Sequence, residues 1–580
     1  MLWFISSREK TKQMIKSRAI PRYQLRRLMV LAVFVLVLGG LLWRALDMQV
    51  LNQDFFQRQG DARHLRTVTI PAHRGDIYDR NGQPLAVSTP VDTIWVVPKE
   101  VLASGANLKP LAGLLQIDLA GLTKRLQRNQ QREFLYLQRQ VEPELAEKFR
   151  VLKIPGLYLQ REYRRYYPAG EVMSHVLGFT NVDDIGQEGL ELALDDTITG
   201  REGSKRIIRD SLGRAVDDVE RIRAAEPGKN IYLSIDRRLQ YLAYRSLKAA
   251  VMENNAIAGT AVVLDAHTGE VLAMVNQPSF NTNDRSQLRP GVTRNRAVTD
   301  VFEPGSTMKP FTMAAALESG KWHPSDRVDT TPGQYTIQGK IIRDTHNYGS
   351  LDLAGIIIKS SNVGISKIAM SLDPRQQLNM YTRVGFGVDG GSGFPGERSG
   401  ALKTEKVRDF ERATMSFGYS ISVTALQLAR AYGAFAADGE IFPVTFLKRE
   451  TAVTGERVMS AQTARQIRTM MEKVVSDEGT ARDAKVPSYR VAGKTGTVHK
   501  FIAGGYAEDR YLSVFAGVAP ASDPRLVMVI MVDEPRGKKY FGGQVAGPVF
   551  GDVMSDAMRL LDITPDDIKL AAGSKSGDKA

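Results

Sequence analysis

VFEPGSTMKPF, residues Val301 to Phe311, decides how this chain is read. Within it Ser306 stands three residues ahead of Lys309, just after Pro304-Gly305. A serine hydroxyl is a poor nucleophile unless a neighbour takes its proton. A lysine serves when burial or a second cation lowers its pKa. At i and i+3 of a helix two side chains share a face, so the segment predicts a helix carrying both. Pro304-Gly305 gives a sharp entry, and Pro310 falls in the first turn, where its missing N–H is not needed. The apolar run FTMAAAL, Phe311 to Leu317, then buries the helix. A helix N-terminus also favours negative charge developing on a bound carbonyl.

Ser-x-x-Lys alone is weak evidence, since Ser7…Lys10 and Ser576…Lys579 match it too. Downstream, IIIKSSNVG supplies Ser360-Ser361-Asn362. Its first hydroxyl is suited to relaying a proton to a leaving amine, and its amide to holding substrate backbone. RVAGKTGTVHK supplies Lys494, Thr495, Gly496 and Thr497 on an expected strand. The lysine adds positive charge, the glycine lets substrate approach, and the threonines can bond a carboxylate. Ser279-Phe280-Asn281 repeats the second element but precedes the nucleophile, and Lys575-Ser576-Gly577 resembles the third but sits in a polar tail. One set alone runs in order, with 54 residues from Ser306 to Ser360 and 132 from Asn362 to Lys494. Ser306 and Lys309 are therefore read as a catalytic pair.

At 580 residues the chain holds two or more folded units. Its net charge of +14 is uneven, because residues 1–27 carry eight Lys and Arg against the single acid Glu9. Directly after them Leu28 to Trp43 is uncharged over sixteen residues. With Arg44 snorkelling and Ala45-Leu46 added, this approaches the ~20 residues that cross a bilayer. A span over 28–48 is expected, with 1–27 cytoplasmic and the rest outside. The basic flank argues against a buried core helix. The long charged start and the lack of a small-x-small site after Trp43 argue against a cleaved signal peptide. The basic block is thus a topology signal, and no nucleic acid is expected. There is no cysteine, and seven scattered histidines form no His-Glu-x-x-His pattern, so no metal or cofactor is expected.

Residues 49–228 read as an irregular α+β module. RGDIYDRNGQP, Arg74 to Pro84, contains a turn cue, and polar, helix-compatible pieces fill 109–149. Residues 229–565 read differently. A strand and an amphipathic helix (NIYLSIDRRLQYLAYRSLKAAVME) lead into a hairpin over Gly259 to Asn276. Two more strands, RYLSVFAGVAP and RLVMVIMVDEP, come near the end. Strands at both ends with helices between predict one sheet closed by N- and C-terminal segments. The tail, 566–580, is expected to be disordered. GFGVDG, Gly385 to Gly390, satisfies G-x-G-x-x-G but lacks strand–turn–helix surroundings, so dinucleotide binding is set aside. The basic stretch YLQREYRRYYP, Tyr158 to Pro168, is read as a solvated or partner-facing surface, and His499 as a rim residue.

The ordered triple resembles the motif set of penicillin-recognising serine enzymes. Arg74 to Gly82, Arg165-Tyr166-Tyr167-Pro168, Gly189-Leu190-Glu191 and Asp210 to Arg214 resemble the pedestal motifs of class B penicillin-binding proteins. DVFEPGSTMKP, KSSNVGISK, RATMSFGYSISVTALQLA and YFGGQVAGPVF look like the division-specific FtsI branch, the penicillin-binding-protein-3 type, over roughly residues 25–565. One departure is Ser420, where glycine is expected.

That resemblance implies a multidomain protein: one N-terminal transmembrane helix, an α+β pedestal over 49–228, and a transpeptidase domain over 229–565. The last would have the β-lactamase-like α/β fold, an antiparallel sheet flanked by helices. It implies a D,D-transpeptidase of the bacterial inner membrane with its catalytic domain in the periplasm. Such an enzyme cross-links septal peptidoglycan through D-Ala-D-Ala stem peptides and is acylated by β-lactams. Catalysis would fall to Ser306, Lys309, Ser360, Asn362 and Lys494, and substrate binding to Thr495, Gly496 and Thr497. Implied partners are a polytopic SEDS-type glycosyltransferase and other division proteins. An elongation-type enzyme, a second-copy paralogue and a noncatalytic division scaffold remain alternatives. A class A β-lactamase is excluded, because no asparagine follows Asn379 to complete its Glu-x-x-x-Asn loop. A penicillin-sensing receptor is excluded because 27 residues cannot fold into a signalling domain.

Overall fold

The computed structural model describes residues 22–55, 65–209 and 215–567. Most of the basic N-terminal block, the Asp210 to Arg214 motif and nearly all of the expected disordered tail lie outside the described residues. The chain divides into two units. The smaller, residues 1–70 and 203–224, holds helix α1 (Arg22–Leu46), which continues as a π-helical turn to Leu51. Within Tyr23–Leu51 the most apolar 18-residue window has a mean hydropathy of 2.3 and none of that window is buried, as suits a lipid-facing segment. The same unit contains a three-stranded antiparallel sheet of Leu65–Ile70, Gly203–Arg209 and Ala215–Arg223.

In the larger unit, the segment before residue 234 is built on the strand Pro84–Val96, paired antiparallel on its two sides with Leu135–Val141 and Leu157–Tyr166. Ile94, Val96, Leu111, Leu122, Leu126 and Phe149 form a small core beneath it. Sequence analysis placed polar, helix-compatible pieces around 109–149 and named no strand there. Helices do occupy 109–114, 119–128 and 143–151, but residues 135–141 are a strand. Its Leu-Tyr-Leu-Gln-Arg-Gln-Val alternation is too short to separate from a polar helix by pattern alone. Two buried arginines, Arg74 and Arg165, meet on one fully buried carboxylate, Glu191. Their Nε atoms lie 2.8 and 2.6 Å from its two oxygens. They compensate a charge that burial would otherwise make costly.

The rest of the larger unit is a five-stranded antiparallel sheet under helices. Helix α2 (Arg237–Glu253) starts where the Asp236 side chain accepts from the N–H groups of Arg238 and Leu239. Strands β1 (Ala258–Asp265) and β2 (Val271–Gln277) form the expected hairpin. The chain then leaves the sheet through α3 (Lys309–Glu318), α4 (Leu353–Lys359), α5 (Asn362–Ser371) and α6 (Ala425–Ala436). It returns as β3 (Ala492–Ile502), β4 (Gly505–Ala519) and β5 (Leu526–Asp533), and ends in α7 (Gly547–Leu560). The spatial order β2-β1-β5-β4-β3 joins both ends of the sequence in one sheet, as the pattern predicted. Helices α2 and α7 pack on one face and α6 on the other. Both sides of β1 and β5 are therefore buried, which is why Val-Val-Leu and Val-Met-Val-Ile-Met-Val read as continuous apolar runs.

Helix α3 is enclosed by protein. Phe311 packs against Phe386, Tyr432 and Phe435, with ring centroids 4.9 to 5.5 Å apart. Each such buried ring contributes roughly 1.5–3 kcal/mol, and together they hold the start of α3 rigid against edge strand β3.

Candidate active site

Gly305–Met308 forms a single 3-10 turn that runs straight into α3. The α-helix expected across Ser306 therefore begins only at Lys309. The tighter turn serves the pair better, because three residues per turn eclipse side chains at i and i+3. Lys309 Nζ lies 2.6 Å from Ser306 Oγ. Thr307 braces the turn from behind, its hydroxyl donating to the Pro304 carbonyl at 2.7 Å while its own carbonyl accepts from Tyr432 at 2.9 Å.

Two other segments converge on this lysine. Lys309 Nζ reaches Asn362 Oδ1 at 2.8 Å, the Ser360 carbonyl at 3.0 Å and Ser360 Oγ at 3.2 Å. Lys494 enters from β3 and reaches the same Ser360 Oγ at 3.0 Å. Both lysines are fully buried. Burial pushes the Lys309 amine well below its ordinary range, and the Lys494 charge lowers it further, against a smaller opposing pull from Asp344. Burial alone brings Lys494 down to about 7. Ser306, Ser360, Asn362 and Thr497, by contrast, are only partly buried. A hydroxyl open to ligand thus rests on an amine whose charged form burial disfavours.

Ser360 terminates α4 in the left-handed region, at φ +58. A non-glycine residue there stores strain of order 1–3 kcal/mol, and here it carries the hydroxyl both lysines share. Ser361 caps α5, accepting from the Gly364 N–H at 2.8 Å and donating to Asp344 Oδ2 at 2.5 Å. Asp344 Oδ1 also accepts from the N–H groups of Asn362, at 2.5 Å, and Val363, at 3.0 Å. Asp344 thereby fixes the whole Ser-Ser-Asn turn. Sequence reading missed it, since no motif links a loop aspartate to a serine seventeen residues on.

Strand β3 is the sheet edge, so one of its sides is free to face the nucleophile turn. A Cβ on Gly496 would meet the Pro304 oxygen at 2.9 Å and Thr307 Cγ2 at 3.2 Å. The glycine therefore admits the nucleophile turn itself, a role not anticipated from sequence. Gly418 does the same from the other side: at φ +85, its Cβ would fall 2.1 Å from the Gly305 oxygen. The Thr495 hydroxyl pairs with that of Thr480 at 2.9 Å, and Thr497 Oγ1 accepts from the Gly542 N–H at 3.0 Å. His499 bonds the Ala507 carbonyl at 2.8 Å and packs on Tyr511.

Glu303 was also missed. Its Oε1 accepts from the Ser420 N–H at 2.8 Å and from the Tyr506 hydroxyl at 2.9 Å, tying two neighbouring loops to the nucleophile segment. Ser420 itself sits at φ +61, which is the physical reason glycine suits that position. Among the described residues no group of three or more His, Cys, Asp or Glu is placed to hold a metal ion. The assembled groups are those of acyl transfer through a serine ester.

Comparison with known proteins agrees with this chemistry. Residues 259–555 match the penicillin-binding protein transpeptidase domain, and residues 69–233 the penicillin-binding protein dimerisation domain. The chain belongs to the class B penicillin-binding proteins, of the penicillin-binding-protein-3 type. It is 43% identical to the peptidoglycan D,D-transpeptidase FtsI of Escherichia coli K12, over 93% of this chain and 92% of that protein. It is 42% identical to the probable peptidoglycan D,D-transpeptidase PenA of Neisseria meningitidis, over 94% of each. It is 41% identical to the probable peptidoglycan D,D-transpeptidase PbpC of Pseudomonas aeruginosa, over 94% of this chain and 97% of that one. Among solved structures, the apo transpeptidase domain of Burkholderia pseudomallei penicillin-binding protein 3 is 46% identical, with a TM-score of 0.54. It covers 58% of this chain and 97% of that one.

Proposed function

We propose that this protein is a single-pass inner-membrane D,D-transpeptidase that cross-links septal peptidoglycan. One observation carries the reading: a buried amine, its pKa lowered well below the ordinary lysine range, 2.6 Å from a partly exposed serine hydroxyl. Ser306 Oγ attacks the penultimate D-alanine carbonyl of a stem peptide, and its proton passes to Lys309 Nζ. Backbone N–H groups of Ser306 and Thr497 hold the oxyanion, each such donor being typically worth ~3 kcal/mol. As the peptide C–N bond breaks, the proton moves from Lys309 through Ser360 Oγ to the departing D-alanine. Asn362 holds the peptide, Thr495 and Thr497 bond the terminal carboxylate, and Lys494 sets the local positive potential. An amine from a neighbouring stem then attacks the ester, giving the cross-link and regenerating Ser306. β-Lactams acylate the same hydroxyl.

The assignment of residues 1–27 to the cytoplasm, 28–48 to the membrane, 49–228 to the pedestal and 229–565 to the catalytic domain belongs to this proposal. So do a polytopic SEDS-type glycosyltransferase and other division proteins as partners, met through the span and the pedestal.

The test uses the full chain in detergent. A fluorescent penam should label one peptide, the one containing Ser306, and a donor stem pentapeptide with a diaminopimelate-bearing acceptor should give D-alanine and dimer. Label on another peptide, or label with no D-alanine release, rejects the reading. Depletion in cells should give filaments; rounded cells would place the enzyme in elongation.

A further inference from the structure

We propose that the basic stretch around Arg164-Arg165 forms a binding pocket for an oxyanion, carboxylate or phosphate, distinct from the Ser306 site. A cavity of about 320 Å³ lies where the strand Leu157–Tyr166 and the loop at 282–288 approach each other within the larger unit. Arg139, Arg164, Arg165 and Arg285 line it, and no acidic residue does.

Three further features point inward. Arg165 is 6% exposed, and its Nε and Nη1 are committed to Glu191 and Ser88, whereas its buried Nη2 has no partner. Thr282 is 5% exposed, and its hydroxyl is buried and unpartnered. The buried Tyr167 hydroxyl faces the Thr180 side chain, which can hydrogen-bond it. All three can donate, and all three line this one cavity. Buried donors left unpaired cost roughly 1–3 kcal/mol each, so two in one place, Arg165 Nη2 and the Thr282 hydroxyl, mark a site built for an acceptor.

The charges balance in the same direction. Arg139 is neutralised by Glu162 and Asp183, and Arg165 by Glu191. Half-buried Arg164 and exposed Arg285 have no carboxylate within ion-pair distance among the described residues; Arg285 Nη2 donates to the Thr180 carbonyl at 3.3 Å, and both guanidinium charges are left without a counter-ion. Guanidinium forks bind carboxylate and phosphate alike, so the chemistry is shared by two sources: the carboxylates of a stem peptide and the phosphates of a lipid-linked precursor.

The experiment uses the full chain in detergent with Ser306 already acylated by benzylpenicillin, so that the active site contributes nothing. Free stem pentapeptide and inorganic pyrophosphate are titrated separately by calorimetry. At least one should bind saturably, and the double variant Arg164→Ala/Arg285→Ala should weaken it at least tenfold. Thr282→Val, which keeps shape and removes a donor, should weaken it several-fold. Melting temperature and penam acylation rate should stay at wild-type values in both variants. Saturation by the peptide alone assigns stem carboxylates, and by pyrophosphate alone precursor phosphates. If neither saturates at millimolar concentration, or binding survives both variants unchanged, the cavity holds only water and the proposal is wrong. Because the acylated protein is used, this result is independent of the chemistry at Ser306.

Discussion

Lys309 and Lys494 meet on one hydroxyl: Ser360 Oγ lies 3.2 Å from the first amine and 3.0 Å from the second. Two buried amines so close cannot both stay protonated cheaply, and most of the expected behaviour follows from that contact.

Removing either member of the nucleophile pair should stop acylation without unfolding the protein. Ser306→Ala should show no penam adduct by mass spectrometry. Lys309→Met, which keeps the buried volume, should slow acylation by about 10²–10⁴, the usual contribution of a positioned base.

The pH profile should carry the signature of the pair. Acylation should rise as the pair loses its first proton, at a pH well below that of an ordinary lysine, because burial lowers both amines and brings Lys494 to about 7. The limb belongs to the coupled pair. Lys494→Gln removes the positive charge that lowers Lys309, so its limb should move to higher pH. Stability carries the same sign. Between about 7 and ~10 the unfolded chain binds a proton that the buried lysine does not. Wild type should therefore gain stability relative to Lys494→Met as pH rises through that window, read by denaturant midpoints.

Ser360 separates strain from chemistry. Both Ser360→Ala and Ser360→Gly lose the relay hydroxyl and should slow acyl transfer by at least tenfold. At φ +58 only glycine relieves the backbone, so Ser360→Gly should be the more stable of the two by ~1 kcal/mol in thermal unfolding. Equal stabilities would show that the left-handed turn is unstrained.

Asp344→Asn should loosen the Ser-Ser-Asn turn by weakening three hydrogen bonds. The expected result is a loss of roughly 1–3 kcal/mol in stability and acylation slowed by one to two orders of magnitude. Unchanged acylation kinetics would reduce Asp344 to a purely structural role.

Ser420→Gly should raise the melting temperature slightly. Relief at φ +61 is worth ~1 kcal/mol, less what the more flexible glycine costs in the unfolded chain. The lost contact is exposed: among the described residues the Ser420 hydroxyl hydrogen-bonds only that of Thr414, at 3.1 Å.

The sheet and the apolar N-terminal helix were legible in the linear chain. Apolar strand runs at 258–277 and 512–533 suit a buried sheet, and the uncharged stretch after the basic block forms a helix long and apolar enough to cross a membrane. Spacing and order also picked out Ser306, Lys309, Ser360, Asn362 and Lys494 as one set, and the structure joins all five in one hydrogen-bonded cluster. Tertiary structure alone decided what holds them. That Asp344 anchors Ser361, that Glu303 joins Ser420 to Tyr506, and that Gly496 and Gly418 make room for the nucleophile turn all depend on distances between segments remote in sequence. The lysines' depressed pKa values belong there too. A lysine in sequence is a cation, and only burial on every side makes it a base.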